Sequence, residues 1–133
     1  MVEIVLITQD DAFAAAADAL ASDTLAIRRI SPEDAVAVSR RERPDILAVD
    51  VDSVRYARSL ISAVSLTTSS IVVAICSEAW PGSDASFAWR RTGADAILPK
   101  PSGPASPTLA GADRDAYARW FLDLVNVCSE SAT

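Results

Sequence analysis

Four short groups of residues in this sequence have the types and spacing that chemistry needs. Gln9, Asp10 and Asp11 follow one apolar run. Asp50, Val51 and Asp52 follow a second, and Cys76, Ser77 and Glu78 a third. Lys100 follows a fourth and precedes Pro101. Lys100 is the only lysine, against eleven arginines. In a chain that otherwise uses arginine for positive charge, one lysine marks a place for a compact ammonium rather than a planar fork. Carboxylates gathered together repel one another and need a cation. A hard divalent ion such as Mg²⁺ suits an all-oxygen set of a few carboxylates, a carbonyl and waters. A lysine beside them neutralises a phosphate or an acid as a point charge, and a nearby hydroxyl can donate to a phosphoryl oxygen.

Composition removes several other chemistries. The chain has no histidine, which excludes Ser-His-Asp and Cys-His catalysis and any histidine-ligated metal. It has two cysteines, Cys76 and Cys128, in no CxxC pair and too few for a disulfide framework. That usage fits a reducing compartment, so a cytoplasmic location is expected. The net charge of −6 argues against direct nucleic-acid binding, which needs a positive face for phosphates. No apolar run approaches the roughly 18 residues of a membrane span. The start of the chain lacks the basic and long apolar regions of a signal peptide, so no membrane association is expected. No GxGxxG or P-loop pattern is present. The arginine pairs 28/29, 40/41 and 90/91 read as solvated charges.

The elements that must position the four groups follow from hydrophobic patterning. The runs over 3–8, 46–49 and 71–75 are short, continuous and rich in β-branched residues, as strands buried on both faces are. A weaker run over 24–30 reads as an edge strand, and 94–99 as a fifth strand. Helices are expected between them. One spans 11–21, with Phe13, Ala17 and Leu20 on one face. A second spans 31–41, opened by Ser31 as N-cap with Pro32 and Asp34, and stopped before Pro44. A third spans 53–66, with Val54, Ala57, Leu60, Ile61 and Val64 at helical spacing. A fourth spans 83–92 and closes on Gly93. A fifth spans 113–128, capped by Asp113, with a stripe of Tyr117, Trp120, Phe121, Leu124 and Val125. Before it lies a loop over 101–112, rich in Pro, Ser, Gly and Ala. Strand–helix order repeated five times predicts one α/β domain over 1–133: a doubly wound, parallel, five-stranded sheet in three α/β/α layers. Sites in such sheets lie at the carboxyl ends of the strands, which brings all four groups to one rim.

Two stretches on that rim, PDILAVD over 44–50 and GADAILPKP over 93–101, occur in order behind an acidic end to the first strand. Together they resemble the receiver domain of bacterial two-component response regulators, over nearly the whole chain. The resemblance implies the flavodoxin-like (βα)5 fold. It implies that Asp50 is a phosphoacceptor served by a sensor histidine kinase or phosphotransfer protein. Asp10 and Asp50, with the backbone carbonyl of Asp52, would hold Mg²⁺. Lys100 would pair with Asp50 and then with a phosphoryl oxygen, and Ser77 or Cys76 would be the hydroxyl-switch position. It further implies a cis bond before Pro101 and a homodimer through the fourth and fifth helices. Such a domain is not an enzyme beyond self-catalysed phosphoryl transfer.

The sequence departs from that family in five places. The acidic pair closing the first strand is either Gln9/Asp10 or Asp10/Asp11, so one carboxylate is missing in one alignment. The switch hydroxyl is either Ser77 or a thiol, Cys76, a poor donor. Ile97 stands where the family has an aromatic switch. Val51-Asp52-Ser53-Val54 replaces a Met-Pro-Gly turn, which makes Asp52 either an extra ligand or the N-cap of the third helix. The loop over 101–112 is long. These departures support a second reading: a degenerate receiver acting as a phosphorylation-independent interaction module, in the N-terminal part of a larger protein. Mg²⁺ affinity separates the two. Trp80, Trp89, Trp120 and Cys128 read as packing residues.

Overall fold

The structure, a computed structural model, describes residues 2–19, 21–77 and 83–100. Five strands form one parallel sheet: β1 (Val2–Ile7), β2 (Leu25–Ile30), β3 (Ile46–Asp50), β4 (Ile71–Cys76) and β5 (Ala96–Pro99). Their order is β2-β1-β3-β4-β5. The weak run is thus an edge strand, as its exposed Arg28 and Arg29 require. The other edge, β5, ends on Pro99, which has no N–H to give a further strand.

Side-chain alternation sorts the strands between two layers. Ile4 and Leu6 of β1, Ile46 and Ala48 of β3, and Val73 and Ile75 of β4 pack with Phe13, Ala16 and Ala17 of α1 (Asp11–Asp18). Val5, Ile7, Leu47, Val49, Val72 and Ala74 face the other way. They meet α2 (Ala35–Glu42) through Ala35 and α3 (Ala57–Thr67) through Ala57, Ile61 and Val64. Trp89 of α4 (Asp84–Thr92) leans on the same layer. Both faces being covered, the central strands read as continuous apolar runs. Asp50 shares the parity of Ile46 and Ala48, so it belongs to the layer of α1.

The two motif stretches owe their other acids to the frame rather than to chemistry. Asp45 takes the Glu3 N–H on Oδ2 at 2.8 Å, and its carbonyl accepts the Ile71 N–H. It thus ties the amino ends of β1, β3 and β4. Asp95 does the same between β4 and β5, accepting the Val72 N–H at 2.9 Å. Gly93 ends α4 at φ 130°, and a Cβ there would stand 2.5 Å from Ser65 Oγ. Both the conformation and the close approach therefore require glycine.

The helices correct the sequence reading at their starts. The third helix was expected from residue 53, but α3 begins at Ala57. The Asp50 carbonyl accepts the N–H groups of Ser53 and Val54, winding 51–56 into turns. Tyr56 then enters α3 in the left-handed region at φ 61°. Ser31 does not cap through its side chain; its hydroxyl donates to Asp34 Oδ2 at 3.0 Å. Pro32–Asp34 is a 3₁₀ turn ahead of α2. The first helix stops at Asp18, short of the expected 21. The expected helix over 113–128, with Trp120 and Cys128, lies outside the described residues. So do the loop over 101–112, the bond before Pro101, Trp80 and Leu20. No described helix is long and apolar enough to cross a membrane.

Candidate functional site

The order in which strands are added to the sheet reverses between β1 and β3, and the crevice at their carboxyl ends is where such sheets bind ligands. Asp50, the last residue of β3, stands there with a solvent exposure of 0 %. Lys100 is brought opposite by β4 and β5: Cys76 pairs with Pro99, and the Lys100 N–H donates to the Cys76 carbonyl. Its Nζ reaches Asp50 Oδ2 at 3.0 Å and Asp10 Oδ2 at 2.9 Å. The ammonium also sits over the Phe13 ring, 5.0 Å from the centroid. That contact favours a cation without offering a proton acceptor.

Asp10 has two tasks. Its Oδ1 accepts the Phe13 N–H at 3.0 Å, capping α1, while its Oδ2 holds Lys100. The Lys100 hydrogen bond and the capping bond hold its carboxyl below the ordinary carboxylate value. Burial works to lower the Lys100 pKa, but the hydrogen bonds to Asp10 and Asp50 outweigh it and keep the ammonium above its ordinary value. Two carboxylates share one lysine, so the cluster carries a net negative charge.

Asp50 is caged beyond this. Thr8 Oγ1 and Ser53 Oγ each donate to Asp50 Oδ2 at 2.8 Å, and the Asp52 N–H donates to Oδ1 at 3.2 Å. The two hydroxyls lie 3.1 Å apart. Each has one proton, so with both given to Asp50 their mutual contact carries none. Ser53 Oγ in turn accepts the Gln9 N–H, and Thr8 Oγ1 the Asp10 N–H. From the edge strand, the Arg29 guanidinium donates twice to the Thr8 carbonyl and pairs with Asp11 at 2.8 Å.

The remaining expected residues fall as follows. Asp11 turns outward to Arg29, its side chain 90 % exposed, and does not join Asp10 and Asp50. Gln9 is exposed. Asp52 is not an N-cap of α3, which starts five residues later. Its Oδ2 accepts the Ser77 N–H at 3.0 Å, tying the turn after β3 to the turn after β4. Cys76 is buried as the last residue of β4, while Ser77 is exposed. Ile97 is half-buried against the α2–α4 layer. Glu78 lies outside the described residues. Thr8, Ser53 and Arg29 were missed by sequence reasoning. Ser53 carried a signal: a hydroxyl three residues after an acid can turn back onto it. Thr8 carried a weaker one, as the last residue of the first apolar run. Nothing in the sequence distinguished Arg29 from the other paired arginines.

No family model matches the chain, and no curated protein matches it in sequence. Solved structures match its fold. The response regulator domain of Thermotoga maritima CheB superposes with a TM-score of 0.72 at 11 % identity, over 97 % of each chain. A chain from the complex of the CheA3 P1 domain with CheY6 of R. sphaeroides gives 0.64 at 17 % identity, over 94 % of this chain and 97 % of that one. A response regulator protein from Burkholderia pseudomallei, with a phosphorylated aspartic acid, a calcium ion and citrate, gives 0.63 at 18 % identity. That match covers 77 % of this chain and 62 % of the other. The chain has the flavodoxin-like fold of response-regulator receiver domains.

Proposed function

We propose that this chain is a receiver domain of two-component signalling that accepts a phosphoryl group on Asp50 from a phosphohistidine of a sensor kinase or phosphotransfer protein. One observation carries this reading. Asp50, at the switch point of the sheet, shares the only lysine of the chain with a second carboxylate, Asp10, at 3.0 and 2.9 Å. A matched fold that carries a phosphorylated aspartic acid lends support.

The chemistry is a group transfer. An Asp50 carboxylate oxygen attacks phosphorus, the P–N bond breaks and its electron pair stays on the imidazole. The new O–P bond makes an acyl phosphate. Lys100 meets the charge of the incoming group as a fixed ammonium. Asp10 holds Lys100 in place and keeps a free edge, its side chain being 35 % exposed.

The oxygen donors fit Mg²⁺. Among the described residues no three acids or cysteines converge to hold a metal. Mg²⁺, however, normally takes one or two carboxylates, several waters and the phosphate itself. Asp10 and Asp50 would hold it, with the Asp52 carbonyl. When bound it would neutralise charge on the transferring group. With so few charged ligands, affinity is weak until a phosphoryl group or its mimic arrives.

The alternative is a receiver fold that docks partners without phosphate. Calorimetric titration with Mg²⁺ and beryllofluoride tests the two on wild type and Asp50→Asn. Binding by wild type alone is expected. Silence from the wild type, and from variants lacking the Thr8 or Ser53 hydroxyl, would leave the docking module.

A further inference from the structure

Resting on the phosphoacceptor reading, we infer that Ser53 and Thr8 are positioning residues that latch Asp50 shut and slow phosphoryl transfer to it. Asp50 Oδ2 receives three donors: Thr8 Oγ1, Ser53 Oγ and Lys100 Nζ. A lone pair occupied by a donor is withdrawn from attack on phosphorus; three donors more than fill Oδ2, and Oδ1 accepts the Asp52 N–H at 3.2 Å. With the carboxylate 0 % exposed, no phosphorus atom reaches it as the site stands. Lys100 can stay, because it has a use on the transferred group. The two hydroxyls must yield.

Ser53 is the element that can move. It lies in the turns of 51–56, between β3 and α3, rather than in either. Its hydroxyl joins three segments, through Asp50, through the Gln9 N–H at 2.9 Å and beside Thr8. At the far end of these turns Tyr56 holds φ 61° with its side chain in solvent. That is a strained conformation for an aromatic residue and a natural place for the backbone to change. Thr8 is held more firmly, since Arg29 grips its carbonyl with two hydrogen bonds. The latch therefore opens from the Ser53 side and pivots on Tyr56, while the Thr8 backbone stays with β1 and only its side chain turns away.

Intact-mass spectrometry during incubation with acetyl phosphate and Mg²⁺ tests this, in wild type, Ser53→Ala, Ser53→Thr and Asp50→Asn. In the reaction an Asp50 oxygen attacks phosphorus and acetate leaves with the electrons of its P–O bond. Ser53→Ala should gain one phosphoryl mass roughly tenfold faster than wild type, as the loss of one hydrogen bond to a charged group implies. Ser53→Thr, which keeps the hydroxyl, should return to the wild-type rate, and Asp50→Asn should gain nothing. Thr8→Val repeats the test from strand one and should also accelerate. Ser53→Ala and Thr8→Val that react no faster than a reactive wild type overturn the latch and leave the phosphoacceptor reading standing. No mass gain in any variant overturns both. A gain in Ser53→Ala with a silent wild type supports the latch in its strongest form.

Discussion

Replacing Lys100 with methionine keeps most of the length of the unbranched side chain and removes its charge, which leaves Asp50 buried without its cation. At the observed 3.0 Å, an effective dielectric of about 20 puts the gross attraction near 5 kcal/mol. Desolvation of both groups offsets part of that, and the Thr8 and Ser53 hydroxyls continue to solvate the carboxylate. A buried ion broken by removal of one partner costs about 3–5 kcal/mol, and the two hydroxyls place this case at about 3. With an m-value near 2 kcal/mol/M, the urea midpoint of Lys100→Met should fall by about 1.5 M. Asp50→Asn should relieve the defect, because an amide accepts the same hydroxyls without charge. The double variant should then lose about 2 kcal/mol less than the sum of the single losses. Equilibrium urea unfolding followed by far-ultraviolet circular dichroism supplies all four corners of the cycle. A Lys100→Met variant within about 0.5 kcal/mol of wild type refutes the reasoning. So does an equal loss in the wild-type and Asp50→Asn backgrounds.

The same ion cluster should set a pH window. Asp10 has a lowered pKa, so its contribution is complete above the ordinary value of 3.8 and is lost as pH falls through the lower folded value. Lys100 has a raised pKa, so its contribution is complete below 10.5 and is lost as pH rises through the higher folded value. The stability difference between wild type and Asp10→Asn, measured by urea unfolding across pH, should be level between these limits and shrink outside both. A slope near neutrality would contradict the assignment. The two acids after β1 should separate cleanly in calorimetry with Mg²⁺ and beryllofluoride. Asp10→Asn should weaken binding at least about tenfold while keeping the α1 cap, since affinity follows ligand charge and asparagine caps as well as aspartate. Asp11→Asn should leave binding unchanged, because Asp11 belongs to Arg29.

Much of this molecule was legible in its sequence because the information was local. Continuous apolar runs identify strands covered on both faces, and 46–49 and 71–75 became β3 and β4 within one residue of their expected ends. Gly93 announced the end of α4 because only glycine tolerates its backbone and its neighbour. The lone lysine and the acids at the strand ends could be placed on one rim because parallel topology sends every strand's carboxyl end the same way. What only the tertiary structure decided is where each polar side chain turns. Asp10 and Asp11 are chemically alike and adjacent. Arg29, eighteen positions along the chain on β2, draws Asp11 outward, while Lys100 draws Asp10 inward. Asp52, open to two roles in the sequence, takes a third by bonding the Ser77 N–H across two strands. The start of α3 moved from 53 to Ala57 because Tyr56 sits in the left-handed region, which a right-handed helix cannot pass through. Thr8 and Ser53 are unremarked hydroxyls along the chain and become the cage of Asp50 only when β1 lies beside β3. Periodicity and backbone permission act between near neighbours and can be read from the chain. The partner of a charge or a hydroxyl is set by strand order, which joins residues some forty positions apart.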